Sequence, residues 1–112
     1  MFKLSLAQIN PTIGDIDGNI ALMQAAAQQA SREGAKLVIF PELSLTAYYP
    51  ADLLDDEEFV RRIEQGLVQL RAISKALPAM YWVFGAPTLN EGVGKRFHNS
   101  LIVLKDGAVL LT

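Results

Sequence analysis

The sequence predicts an α/β fold with the element order β-α-β-α-β-β-β. Two stretches of helical apolar spacing, near residues 17–33 and 55–77, alternate with short β-type runs. A late pair of apolar runs is separated only by Lys105-Asp106-Gly107. Helical connections between successive strands imply parallel pairing, and an Asp-Gly turn implies an antiparallel hairpin. At 112 residues the chain forms at most one domain, yet 51% of it is hydrophobic and only 20% charged. That balance suits part of a larger core, or a subunit that buries a face against a partner.

Lys3-Leu4-Ser5-Leu6-Ala7-Gln8-Ile9 alternates as a first strand should, and Asn10-Pro11 breaks it. The helix expected from about Asp17 to Glu33 carries an apolar stripe of Ile20, Met23, Ala27 and Ala30. Asp17 is its expected N-cap and Gly34 its C′ residue. Residues 36–40 form the next strand, and Leu37-Val38-Ile39-Phe40 reads as buried on both faces. A long helix begins at Asp55, where Glu58 three residues on fits a capping box. Phe59, Ile63, Leu67, Leu70, Ile73 and Leu77 share one face of it; Gly66 weakens its middle and Pro78 ends it. Tyr81-Trp82-Val83-Phe84-Gly85 is a strand that runs into Ala86-Pro87, and residues 90–95 are a Gly-rich polar turn. Residues 100–104 and 108–111 complete the hairpin.

Pro41 ends the second strand, because it has no N–H to donate, and Glu42 follows at once. A carboxylate at the end of a buried strand is costly unless it has a partner or a task. Other chemistries are excluded more simply. The net charge is −2, and the only adjacent basic pair, Arg61-Arg62, lies among Glu57, Glu58 and Glu64, so nucleic acid is not an expected partner. There is no cysteine, hence no disulfide framework or thiolate metal site, and the single histidine, His98, rules out a His-rich cluster. His98 before a strand reads as structural, and Asn99 as loop support. Gly92 and Gly94 lack the strand–loop–helix context of a phosphate loop. No run approaches the roughly 18–20 apolar residues that span a bilayer. An unstapled chain of this kind is compatible with the cytoplasm.

The segment Pro41-Glu42-Leu43-Ser44-Leu45-Thr46-Ala47-Tyr48-Tyr49-Pro50-Ala51-Asp52-Leu53-Leu54 resembles the first signature of the nitrilase (carbon–nitrogen hydrolase) superfamily. Its wording is most similar to the glutaminase domains of the glutamine-dependent NAD synthetase branch. Three further stretches extend the resemblance: Leu6-Ala7-Gln8-Ile9-Asn10-Pro11-Thr12-Ile13-Gly14-Asp15 with Asn19 beyond it, Val83-Phe84-Gly85-Ala86-Pro87, and His98-Asn99-Ser100-Leu101-Ile102-Val103 before Asp106-Gly107.

The resemblance implies a partial nitrilase-like α-β-β-α sandwich, of which this chain is the first part, with the synthetase domain absent. Family chemistry uses a cysteine nucleophile, a glutamate base and a lysine for the oxyanion. Glu42 matches the glutamate. The cysteine has no counterpart in this sequence, and the lysine is expected past Thr112. Lys105, at the far end of the hairpin, is not a candidate for it. Tyr48 matches the tyrosine lining the glutamine pocket, or is simply a half-buried aromatic. No cofactor is implied on this chain; ATP and Mg would belong to the synthetase domain. The isolated chain is expected to be inactive. The alternatives are a fragment of another amidase or carbamoylase of the family, or a non-catalytic folding or interaction fragment. Phe40, Val83, Phe84, Leu101, Val103, Val109 and Leu111 are the positions expected to face the missing second sheet, and the uncovered face implies self-association.

Overall fold

The computed structural model describes residues 3–41, 44–46, 56–89 and 97–111. The elements are β1 (Leu4–Leu6), α1 (Ile16–Arg32), β2 (Leu37–Ile39), α2 (Glu57–Lys75), β3 (Tyr81–Leu89), β4 (Phe97–Lys105) and β5 (Ala108–Leu111). They occur in the predicted order and build one five-stranded sheet with the strands in sequence order, β1-β2-β3-β4-β5. β1, β2 and β3 run parallel, and β4 and β5 are antiparallel additions. The tight Asp-Gly turn makes the antiparallel addition possible: Asp106 has φ 48° and Gly107 φ 80°, the two positive values that a two-residue hairpin of this twist requires.

Both helices pack on one face of the sheet. Ile16, Ile20, Met23, Ala27 and Ala30 of α1 join Ile63 and Leu70 of α2 in a core with Val38, Trp82, Phe84, Ile102 and Leu104 of the strands. Side chains alternate across a strand, so the other face carries Leu4, Leu6, Leu37, Ile39, Tyr81, Val83, Leu101 and Val103. No described element covers that face, where Leu6 is 68% and Leu101 55% exposed.

This geometry corrects several expectations. Phe40 and Phe84 do not belong to the open face: they are buried under the helices, and Phe40 packs against the Trp82 ring at 5.8 Å. Val83 and Phe84 are adjacent, so one of them had to point each way. β2 is accordingly covered on one face, by the helices, and only half-buried on the other. Val109 lies opposite Leu104, on the helix side of the sheet but in its last strand, and is 43% exposed. The side chain of Leu111 lies outside the described residues.

The helix caps are displaced from the predicted ones. Asp15, not Asp17, caps α1, accepting from the Gly18 N–H at 3.0 Å. Asp17 falls in the first turn, where its carboxylate suits the helix dipole, and pairs with Arg62 of α2 at 2.5 Å. Asp56, not Asp55, caps α2, accepting from the Glu58 N–H at 2.9 Å, while Asp55 lies outside the described residues. At its other end α1 closes as expected. Gly34 has φ 85°, its N–H donates to Ser31 O at 3.0 Å, and the Ala35 N–H donates to Ala30 O at 2.9 Å.

β3 and β4 are longer than predicted and remain paired through Pro87↔Asn99 and Leu89↔Phe97. Proline is tolerated there because, beyond Phe40 and Val83, β3 is paired only with β4 and is locally an edge. The predicted turn at residues 90–95 lies outside the described residues. The β4–β5 turn is docked on α2: Ser74 Oγ accepts from the Gly107 N–H at 2.9 Å, and Arg71 Nε donates to Gly107 O at 2.9 Å. Ser74, fully buried, satisfies its own hydroxyl proton on Arg71 O at 2.7 Å.

Candidate active site

The three parallel strands end at the same edge of the sheet, and in open α/β sheets that edge is where ligands bind. β2 continues past Ile39 without losing its pairing. The Ala7 N–H donates to Ile39 O at 2.8 Å, and the Phe40 N–H to Val83 O at 2.9 Å. Pro41 follows, and Glu42 is next in sequence. Glu42 and Tyr48, the two predicted site residues, both lie outside the described residues. Pro41 before Glu42 in sequence and Ser44–Thr46 after Leu43 are described, and both are held by hydrogen bonds.

Ser44, Leu45 and Thr46 are each fully buried. The Ser44 hydroxyl donates to Pro41 O. The Gly14 N–H donates to Thr46 O at 3.1 Å, tying this segment to the loop after β1. Asn19 joins the two segments. Its amide is 1% exposed, and its Nδ2 donates both to Leu45 O at 3.0 Å and to Thr12 O at 2.8 Å. Its Oδ1 accepts from the Thr12 N–H at 2.7 Å. Both amide protons and the carbonyl oxygen are thereby used, as a buried amide requires.

Leu45 is held from the other side by α2. A Cβ at Gly66 would stand 3.2 Å from Leu45 Cδ1, 3.0 Å from Ile16 Cγ2 and 3.3 Å from Ile20 Cδ1. Gly66 therefore lets α1, α2 and the segment after Glu42 approach one another. Reading it as a weak point of α2 missed this role. The available signal was that a glycine at 66 precedes Leu67 and Leu70 on the buried side of the helix. Asn19 had a clearer one, since it occupies a position of the buried stripe Ile16, Ile20, Met23.

Lys105 is at the other end of the sheet. It lies in the row Leu37–Tyr81–Lys105, where β2 begins, and its Nζ sits 5.4 Å from the Tyr81 ring centroid. His98 and Asn99 pair with Thr88 and Pro87 in the β3–β4 ladder, and their side chains lie outside the described residues. Among the described residues no group of His, Cys, Asp and Glu gathers to hold a metal ion, and no helix is long and apolar enough to cross a membrane.

Residues 3–112 match the family model for carbon-nitrogen hydrolase. The chain is 39% identical over 109 residues to a glutamine-dependent NAD(+) synthetase of Acinetobacter baylyi, covering 97% of this chain and 19% of that protein. A glutamine-dependent NAD(+) synthetase of Synechocystis sp. is 38% identical over 113 residues, with 97% and 20% covered. The chain thus spans about a fifth of the length of these curated relatives. Among solved structures, the glutamine-dependent NAD+ synthetase of Acinetobacter baumannii in complex with ADP superposes with a TM-score of 0.84 at 38% identity, covering 97% of this chain and 20% of that one. An amidase from Nesterenkonia sp. superposes with a TM-score of 0.83 at 23% identity, covering 97% and 40%, a likeness of fold.

Replacing Gly66 tests the packing around Leu45. Gly66→Leu removes a helix-interior glycine, which by propensity alone favours α2 by about 1 kcal/mol. Overpacking a tight site costs about 1–3 kcal/mol. The expected outcome is a net loss of stability, read as a lower midpoint of urea unfolding. A raised midpoint would show that this contact has room to spare.

Proposed function

Because the chain belongs to the carbon-nitrogen hydrolase family, we propose that it forms the first part of a glutamine-hydrolysing domain that supplies ammonia to an NAD synthetase, with Glu42 as general base. The observation that supports this most is that relatives 37–39% identical across 97% of the chain are glutamine-dependent NAD synthetases. The position of Glu42 in the sequence supports its role. It directly follows the end of a parallel strand, between a Pro41 carbonyl and a Ser44–Thr46 segment that are both fixed by hydrogen bonds.

In the proposed reaction, the thiol of a cysteine elsewhere in the domain attacks the side-chain amide carbon of glutamine. Glu42 takes the thiol proton and passes it to the departing nitrogen, so that ammonia leaves and a thioester forms. Water, deprotonated by the same carboxylate, then releases glutamate and restores the thiol. A lysine outside these 112 residues stabilises the oxyanion of each tetrahedral intermediate. Tyr48 lines the glutamine pocket. ATP and Mg belong to the synthetase domain. No described residues of this chain gather to hold a metal, and no step here passes through one. A cytoplasmic setting accords with this reading.

The open face of the sheet fits the same reading. Its exposed Leu4, Leu6 and Leu101 are the surface that the remainder of the domain covers. The relatives are about five times longer than this chain, so they have residues to do so.

In the full-length enzyme Glu42→Gln keeps the shape and removes the base. A positioned base contributes roughly 10²–10⁴ in rate. Glutamine-driven synthesis should fall at least about a hundredfold by that estimate, while synthesis from added ammonia survives. A parallel loss of both activities would make Glu42 structural.

The 112-residue chain alone, without a cysteine, cannot form an acyl-enzyme. It should release no ammonia from glutamine above a blank, and its uncovered sheet should make it sediment heavier than a 12.3 kDa monomer. Saturable ammonia release, or a clean monomer, would contradict the corresponding half of this account.

A further inference from the structure

Resting on the reading of Glu42 as the base, we propose that Asn19 is a positioning residue for glutamine hydrolysis, acting through the Leu45 carbonyl on the strand-end segment that carries Glu42. The strand side of that segment is set by the sheet, through the Phe40 N–H on Val83 O. The other side has no strand to set it. Ser44–Thr46 is loop, and loops at a sheet edge are ordinarily its most adaptable part. Here three fully buried loop residues are attached to a helix side chain and to a second loop.

Asn19 is suited to this task by its chemistry. A helix-stripe position next to Ile20 and between Ile16 and Met23 would pack best with an apolar side chain. A buried amide there is costly unless every polar atom is paired, and all of them are. What the pairing secures is a fixed distance between the rigid α1 and two loop backbones, at Thr12 and at Leu45. Leu45 O is three residues from Glu42, and only Leu43 and Ser44 intervene. Ser44 is itself fixed on Pro41 O, so the described residues that flank Glu42 and Leu43 in sequence are tied to each other and, through Leu45 O, to Asn19.

The alternative is that Asn19 merely stabilises the fold, and the test separates the two in the full-length enzyme. Asn19→Leu keeps the size and removes all three hydrogen bonds. Because displacing a catalytic group by about 1 Å costs up to roughly a hundredfold, kcat for glutamine hydrolysis should fall about ten- to a hundredfold. KM for glutamine should stay within about twofold, since substrate binding is not what the amide sets. Ammonia-driven synthesis should be unchanged.

Ala30→Gly is the structural control. It weakens the same helix roughly 16 Å away along its axis, at about 1.5 Å per residue, and should lower the melting temperature while leaving all three kinetic values unchanged. If Asn19→Leu does not fold, Asn19→Asp serves in its place. It keeps the acceptor for the Thr12 N–H and loses the amide donors to Leu45 O and Thr12 O, and the same fall in kcat at constant KM is expected.

An unchanged kcat in a folded Asn19 variant overturns the proposal, as does a kcat loss matched by Ala30→Gly or by the ammonia-driven rate. Glu42→Gln, measured alongside, keeps the two levels apart. Full glutamine activity in that variant brings down the reading of Glu42 and this proposal with it, whereas loss there with an unaffected Asn19 variant brings down this proposal alone.

Discussion

The Asn19 amide, 1% exposed, makes three hydrogen bonds: to Leu45 O, to Thr12 O and from the Thr12 N–H. Much else in this half of the molecule follows from that arrangement. Asn19 lies one turn into α1, so the helix must start early enough to place it. Asp15 provides that start, and the Asn19 N–H donates to Asp15 O at 2.8 Å. The loop after β1 is then drawn down onto the helix N-terminus, and the Gly14 N–H reaches Thr46 O. Gly66 completes the arrangement from α2 by leaving room for Leu45. Loop, helix and strand end are thereby held as one unit at the edge where the parallel strands finish.

The opposite end of the molecule is organised by a second, independent device. The Asp106-Gly107 turn has both φ angles positive, and its Gly107 peptide is bonded to Ser74 and Arg71 of α2. α2 therefore reaches across the sheet, touching Leu45 through Gly66 in its middle and the β4–β5 turn near its C-terminus. The apolar core lies between, with Trp82 and Phe84 of β3 at its centre. This one-sided coverage leaves the other sheet face to the remainder of the domain in the proposed reading.

The elements were legible because their signals are periodic and local. The stripe Ile20, Met23, Ala27, Ala30 is buried as its spacing requires, and Asp106-Gly107 forms the hairpin turn that it predicts. Caps were less legible, because Asp15 and Asp17, or Asp55 and Asp56, are chemically equivalent in sequence. Which one serves is decided by where the buried stripe fixes the helix. The faces of Phe40 and Phe84 depend on which side the helices cover, a tertiary fact no strand pattern contains. β3 runs past Pro87 to Leu89 because its neighbour on one side stops short. At the site, the motif points to Glu42 and Tyr48 as the proposed base and pocket residue, and both lie outside the described residues. The contacts of Asn19 and Gly66 join residues distant in sequence, 12, 19, 45 and 66, so their stripe positions hinted at burial while their partners came only from the fold.

The strand end is held by loop segments that behave like core, and amide hydrogen exchange reads this directly. The Thr12 and Gly14 N–H groups lie in a loop yet are bonded to Asn19 Oδ1 and Thr46 O. If these contacts hold the strand end as described, both amides should exchange within about tenfold of the α1 amides of Met23 and Ala27, opening only when the surrounding unit opens. Exchange at the rate of an unprotected loop would show that the segment beyond Glu42 is not fixed by Asn19, and the account of the site would fail with it.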